Sequence, residues 1–176
     1  MKAQPGGGKL GYGLLGRMSM VAAVAVALAM PAAAQDYLAK TVTDVAADSK
    51  DHTTLVAALE AADYADALRN PGPFTVFAPT NAAFEKLPPG TLETLMKPEN
   101  QGKLEKILEH HVMVSTYEAK WFKDGQSVGM VDGTKATMHV EDGKVRIDGA
   151  TIAASIRCGN GIVHVVDAVV LPPEKP

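Results

Sequence analysis

Cysteine is almost missing from this chain: Cys158 stands alone among 176 residues. No disulfide can form within one molecule, although an exported protein could carry one. Cys158 is read as a small buried apolar residue, with a thiol that pairs between molecules as the alternative. No Asn-x-Ser/Thr acceptor occurs anywhere, so N-glycosylation has no site. No His-x-x-x-His pair occurs, which removes the usual helical metal spacing. Runs of basic residues are also missing, and so is a basic amphipathic helix. That composition speaks against nucleic acid and against a membrane surface as partners.

Charge is sparse at the start in an informative way. Lys2, Lys9 and Arg17 are the only charged residues before Asp36. The apolar run Met18 to Met30 follows, then Pro31 and Ala32-Ala33-Ala34. This order predicts a secretory leader over residues 1–34, cleaved after Ala34. Its Ala-rich style is bacterial. An uncleaved anchor is the competing reading, but the run falls short of the roughly 20 apolar residues of a span. The leader has no cysteine at its end, which excludes a lipoprotein anchor. Gly6-Gly7-Gly8-Lys9 lacks the full spacing of a phosphate loop and lies in the segment to be removed.

The chain expected after cleavage runs from Gln35 to Pro176, 142 residues, one domain's worth. Losing three cations leaves 14 lysines and arginines against 20 carboxylates, a net charge of −6. The first half reads helical. Leu55, Ala58, Leu59 and Ala62 recur at helix spacing, and Tyr64 to Leu68 adds another turn or two before Asn70-Pro71-Gly72-Pro73. An apolar strand through Val76 and Phe77 runs into Ala78-Pro79. A helix capped by Thr80 or Asn81 then begins, carrying Phe84 and Leu87. Thr91 to Met96 is a short helical piece. Glu99 to Val112 is the strongest helix, with Leu104, Ile107, Leu108, His111 and Val112 on one face.

The second half reads as strands. Met138 and Val140 alternate before Glu141-Asp142-Gly143-Lys144, and Val145 and Ile147 alternate after it, which is a hairpin pattern. Asp132-Gly133 and Asn160-Gly161 supply further tight turns. Ile162 to Leu171 is nearly all apolar and predicts a strand buried on both faces, ended by Pro172-Pro173. Helices first and strands later predict an α+β domain with segregated layers.

Several residues invite a chemical reading. Gly125-Gln126-Ser127-Val128-Gly129 matches the Gly-x-Ser-x-Gly nucleophile elbow, which needs a strand before the serine and a helix after it. Here a strand heading into a turn follows, so Ser127 reads as a loop serine, with a hydrolase as the minor alternative. His110 and His111 are adjacent and point about 100° apart on a helix, which does not suit one metal ion. His111 shares a face with Leu104 and Leu108 and reads as a core histidine; His164, inside an apolar strand, reads the same way. Both should satisfy their ring nitrogens and staple the helix and last strand to the fold, with Thr80-Asn81 offering partners. His111→Ala should then lower the melting temperature by several degrees. Asp167, ending the strand, should accept backbone N–H groups or pair with a cation. Trp121-Phe122 between Lys120 and Lys123 is either the capped edge of the core or part of a binding surface.

Three stretches then line up in order. Thr75-Val-Phe-Ala-Pro-Thr-Asn-Ala-Ala-Phe84 resembles the first signature box of the fasciclin-type domain. Ile107-Leu-Glu-His-His-Val112 is similar to its middle motif, and Asn160-Gly-Ile-Val-His-Val-Val-Asp167 to its second box. The likeness extends over about residues 41–173. It implies a wedge-shaped β-sandwich with helices packed on one side, and structural roles for Thr80, Asn81, His111, Asn160, His164 and Asp167. It also implies an exported binding protein, secreted or periplasmic, without catalytic residues, metal or cofactor. His110 stands where the family's middle motif usually has tyrosine. That replacement and the lack of Arg-Gly-Asp argue against integrin recognition. The expected function is a monomeric, non-catalytic adhesion module that binds a protein or glycan at a cell surface or in the matrix, with His110, Trp121 and Phe122 as the possible binding surface. A periplasmic carrier of a small apolar or lipid ligand is the alternative, marked by a closed apolar pocket. Convergent histidine, serine and acid groups in a cleft would instead favour an enzyme.

Overall fold

Residues 39–173 are described by a computed structural model. The leader expected over residues 1–34 lies outside the described residues.

Helix α1, Val42–Ala47, begins at a reciprocal cap. The Asp44 N–H donates to Thr41 Oγ1 at 3.2 Å, and the Thr41 N–H donates to Asp44 Oδ2 at 2.9 Å. Sequence periodicity missed this short helix; the Thr-x-x-Asp spacing was its one signal. Helix α2 (Thr53–Ala61) follows a 3₁₀ turn at Lys50–His52, and another 3₁₀ turn spans Ala67–Arg69. Strand β1 (Phe74–Pro79) leads into α3 (Asn81–Glu85), with Thr80 as N-cap. Then come α4 (Thr91–Leu95), α5 (Gln101–Glu109) and the two-residue strand β2 (Val112–Met113). Strands β3 (Gln126–Gly129), β4 (Lys135–Glu141), β5 (Lys144–Ile147), β6 (Ala150–Cys158) and β7 (Gly161–Val166) complete the described chain.

The seven strands run in the order β2-β1-β7-β6-β5-β4-β3. The adjacent pair β1 and β7 is parallel, from Phe74 opposite Gly161 to Pro79 opposite Val166, and the other pairings are antiparallel. The β4–β5 hairpin turns on Asp142 and Gly143, both at positive φ, as a tight two-residue turn requires.

Two apolar cores cover the central strands. Leu55, Leu59, Phe84, Leu104 and Leu108 from the helices pack with Val76 of β1 and Val163 of β7. On the opposite side Phe77, Val128, Met138, Ile147 and Val166 form the second core. Phe77 lies on β1 and Val128 on β3, with four strands between them in sheet order, so the sheet must fold over on itself. A register shift between Ile152 and Ala154 loosens β6 at the bend. The Val131 N–H closes the fold by donating to the Val112 carbonyl at 2.9 Å. The result is the expected α+β architecture: a folded sheet in two layers, with helices against one face. Each fully buried large side chain, such as Phe77 or Ile147, contributes about 1.5–3 kcal/mol by leaving water.

Two expectations are corrected, and one strand has no counterpart among them. The strongest helix stops at Glu109, because Val112 and Met113 pair with Val76 and Thr75 of β1. The last strand ends at Val166 and not Leu171, because the chain turns at Asp167 and Val170 bonds elsewhere. Strand β6 was not read from the sequence; its mixed burial carries no clear alternation.

Candidate functional site

The boxed residues act first as joints. Asn81 Oδ1 accepts the Thr54 N–H at 3.0 Å, and its Nδ2 donates to the Lys50 carbonyl at 3.0 Å, so it clamps the start of α2. Thr80 Oγ1 accepts the Ala83 N–H. Asn160 Oδ1 accepts the Val42 N–H at 2.8 Å, while Nδ2 donates to the carbonyls of Leu68 and Asn70 at 2.8 and 2.9 Å. One side chain thus ties α1 and the loop before β1 to the β6–β7 turn. Asp167 is exposed; its Oδ1 accepts the Thr151 N–H at 2.7 Å, and its carbonyl accepts Lys86 Nζ at 2.7 Å.

Four of the five histidines are buried. His111 Nδ1 donates to the Ile107 carbonyl at 2.7 Å, and Nε2 accepts the Val170 N–H at 3.0 Å. Both nitrogens are satisfied only in the neutral ring. Burial above all drives the pKa of His111 down to about 4, with His110 adding to the effect and the Ile107 bond opposing it. Its partners come from α5 and the segment after β7, not from Thr80-Asn81, where the sequence reading looked for them.

His110 is fully buried, which removes it from the expected binding surface. Its Nδ1 lies 3.0 Å from Asp132 Oδ2 and 2.7 Å from Thr134 Oγ1, and the Thr134 hydroxyl also lies 2.7 and 2.8 Å from the two Asp132 oxygens. A carboxylate only accepts, so Nδ1 must carry the proton. Burial raises the Asp132 pKa, but its bonds from Thr134 and the nearby His110 outweigh that and leave it below the usual carboxylate value. This network pins the end of α5 to the β3–β4 turn. No sequence pattern announced it, since 22 residues separate His110 from Asp132.

His164 anchors a third network beneath a surface. Its Nε2 lies 2.8 Å from the Tyr117 carbonyl and its Nδ1 lies 2.8 Å from Ser155 Oγ. A carbonyl only accepts, so Nε2 holds the proton, Nδ1 is bare, and the Ser155 hydroxyl donates to it. Thr75 Oγ1 adds a second anchor: it donates to the Ser115 carbonyl at 2.6 Å and accepts the Tyr117 N–H at 2.9 Å. Tyr117 stacks on Phe122 at 5.4 Å and meets Trp121 edge-on at 6.3 Å. The loop from Val114 to Phe122 is thereby fastened to β1 and β7.

That loop presents its polar side chains outward. Lys120 Nζ pairs with Glu118 Oε2 at 2.6 Å, and Arg157 Nη2 of β6 lies 3.5 Å from Glu118 Oε1. The bond from Lys120 holds the Glu118 pKa below its ordinary value. Glu118, Ala119, Lys120, Ser155, Arg157 and Ile162 line an open concavity of about 310 Å³. Trp121, 46% exposed, stands beside it with Lys120 Nζ 5.8 Å from its ring centre. Phe122, by contrast, is buried between Phe77 and His164, so the aromatic pair splits into one surface residue and one core residue.

Ser155 and His164 have the spacing of a nucleophile and its base. Their surroundings work against that role. A base must become imidazolium, yet the rings of Phe77 and Phe122 lie 5.5 and 5.9 Å from His164 and no carboxylate faces its second nitrogen. Burial pushes its pKa down, with the Tyr117 bond opposing. Ser127 lies within β3, opposite Thr137 of β4, and so sits on a strand and not at a strand-to-helix elbow. Among the described residues, no three histidine, cysteine or acidic groups gather as metal ligands, and no helix is long and apolar enough to cross a membrane. The apolar space among Leu55, Phe84, Leu92, Leu104 and Leu108 is only about 10 Å³, so side chains already fill the place an apolar cargo would need. Cys158 is buried, and its thiol pKa is pushed up to about 11, chiefly by burial.

Comparison with known proteins places these features in a lineage. A family model for the fasciclin domain matches residues 50–172. Protein sll1483 of Synechocystis sp. is 48% identical over 77% of this chain and 75% of its own length. Immunogenic protein MPB70 of Mycobacterium bovis is 32% identical over 81% of this chain and 75% of its own length. A solved FAS1 domain pair from the insect cell adhesion molecule Fasciclin I matches with a TM-score of 0.65 at 19% identity, over 77% of this chain and 51% of that one.

Proposed function

The chain belongs to the fasciclin domain family, and we propose that it is an exported, non-catalytic adhesion module that binds a protein or glycan at a cell surface or in the matrix. The observation that carries this reading is the loop Val114–Phe122. Its backbone is fastened by Thr75 and His164, while Glu118, Lys120 and Trp121 face outward. A rigid base under adaptable polar and aromatic side chains lowers the ordering cost of binding. The solved neighbour with this fold is a domain pair from a cell adhesion molecule, which is consistent with that use. Trp121 keeps its place in the proposed surface; Ser155, Lys120 and Arg157 join it, and His110 and Phe122 leave it.

Family domains of this kind are generally non-enzymatic, and the apolar cage around His164 fits that pattern. Export to the periplasm or the medium, and action as a monomer, belong to the same proposal. The test is retention of the labelled protein on cell surfaces across a concentration series. Saturable retention that falls when Trp121→Ala is introduced supports it. Retention that never saturates, together with turnover of a test ester, overturns it.

A further inference from the structure

We infer that the concavity between the Glu118–Lys120 turn and β6 is a subsite for a sugar acid, the uronate residue of an anionic glycan. This inference deepens the adhesion reading and rests on it.

The proton order beneath the pocket sets what it can bind. The Tyr117 carbonyl forces the proton onto His164 Nε2, and the bare Nδ1 then forces the Ser155 hydroxyl to donate inward. Ser155 is exposed, so the remaining lone pairs of its Oγ face the pocket as acceptors. A ligand that bonds Ser155 directly must bring an O–H or N–H donor, which a bare sulfate does not. A sugar hydroxyl does. The second requirement comes from charge. Two cations, Lys120 and Arg157, share one carboxylate, Glu118. They leave a single net positive charge at the rim of a chain whose carboxylates outnumber its cations. That suits one carboxylate, with Arg157 offering a two-pronged donor. A dianion would face Glu118 at close range. The third requirement is an apolar face: buried Ile162 lies at the pocket wall and exposed Trp121 stands beside Lys120. Hydroxyl donor, single carboxylate and apolar C–H face together describe a uronate ring. The 310 Å³ of space meets the lower end of ordinary ligand pockets, about 300–1,000 Å³.

The test is calorimetric titration of the purified protein with tetragalacturonate, its methyl-esterified form and a sulfated oligosaccharide of similar length. Saturable binding of tetragalacturonate is expected, with the ester roughly tenfold or more weaker. Arg157→Gln should weaken tetragalacturonate by a similar factor, and Ser155→Ala by several-fold, while Lys103→Gln on α5 leaves it unchanged. Arg157 is exposed and Arg157→Gln should fold normally; the melting temperature checks this for each variant. Equal binding of acid and ester, tighter binding of the sulfated probe, or an unaffected Arg157→Gln would each overturn the assignment. So would no saturable heat at millimolar tetragalacturonate. If cells retain the protein and tetragalacturonate does not displace it, the uronate subsite fails while the adhesion reading stands. If cells do not retain it at all, the broader reading fails as well.

Discussion

Acidification should destabilise this protein well above the pH at which carboxylates titrate, and His111 should account for much of the loss. The neutral ring bridges the Ile107 carbonyl and the Val170 N–H; a second ring proton would break the latter bond and charge a buried group. Its folded pKa is about 4, against about 6.5 for an ordinary histidine. Because the folded value is depressed, the stability tied to the neutral ring is complete above about pH 6.5 and is lost as pH falls toward 4. The 2.5-unit gap corresponds to at most about 3.4 kcal/mol, of which about 2 kcal/mol is already lost at pH 5. For the 135 described residues this is a fall of about 7 °C in Tm. His52 and His164, also held below their ordinary values chiefly by burial, push in the same direction. Thermal unfolding of wild type and His111→Gln at pH 7 and pH 5 separates the contributions. The variant is less stable at pH 7, but its loss between the two pH values should be smaller by about 2 kcal/mol. Equal losses in the two proteins would refute the reasoning, as would an NMR titration in which the His111 ring charges near its ordinary pKa.

Three further outcomes follow from packing and bonding. Gly161→Ala should cost about 3 kcal/mol or more, since the new Cβ would clash with the Phe74 carbonyl in the parallel β1–β7 pair; urea unfolding reads this directly. Asn160→Ala should cost about 2–3 kcal/mol by freeing the Val42 N–H and the carbonyls of Leu68 and Asn70, with early loss of amide protection in α1 under hydrogen exchange. Cys158 should react slowly with a thiol reagent at pH 8 in the native protein and quickly in denaturant, because its pKa of about 11 and its burial both suppress the thiolate; fast native labelling would contradict the buried assignment.

Local signals were the most legible. The strand at Phe74, the Pro79 stop and the Thr80 cap are written in adjacent residues, and the structure places β1 and α3 accordingly. The Asp142-Gly143 turn likewise declares itself, because few residue pairs take positive φ twice. Boundaries decided by distant partners were not legible. The face from Leu104 to Val112 keeps helical period, yet Val112 leaves the helix to pair with Val76. Strand β6 lacks alternation because its middle is open on both faces: Ala153, Ala154 and Ser155 are exposed in succession, while Ala150 and Cys158 at its ends are buried.

By itself the sequence determined the α+β class, the likeness to the fasciclin domain and the apolar faces of its longer helices, because caps, turns and apolar periods act over a few positions. Only the tertiary structure decided what the polar residues do. It buried His110 against Asp132, a partner 22 residues away, and split Trp121 from Phe122. It also placed Ser155 over His164 across the β6–β7 ladder, beside Lys120 from another loop. Hydrogen bonds and charge pairs depend on where the folded sheet brings side chains together. That fold-over is set by the two cores as wholes, not by any short stretch of chain.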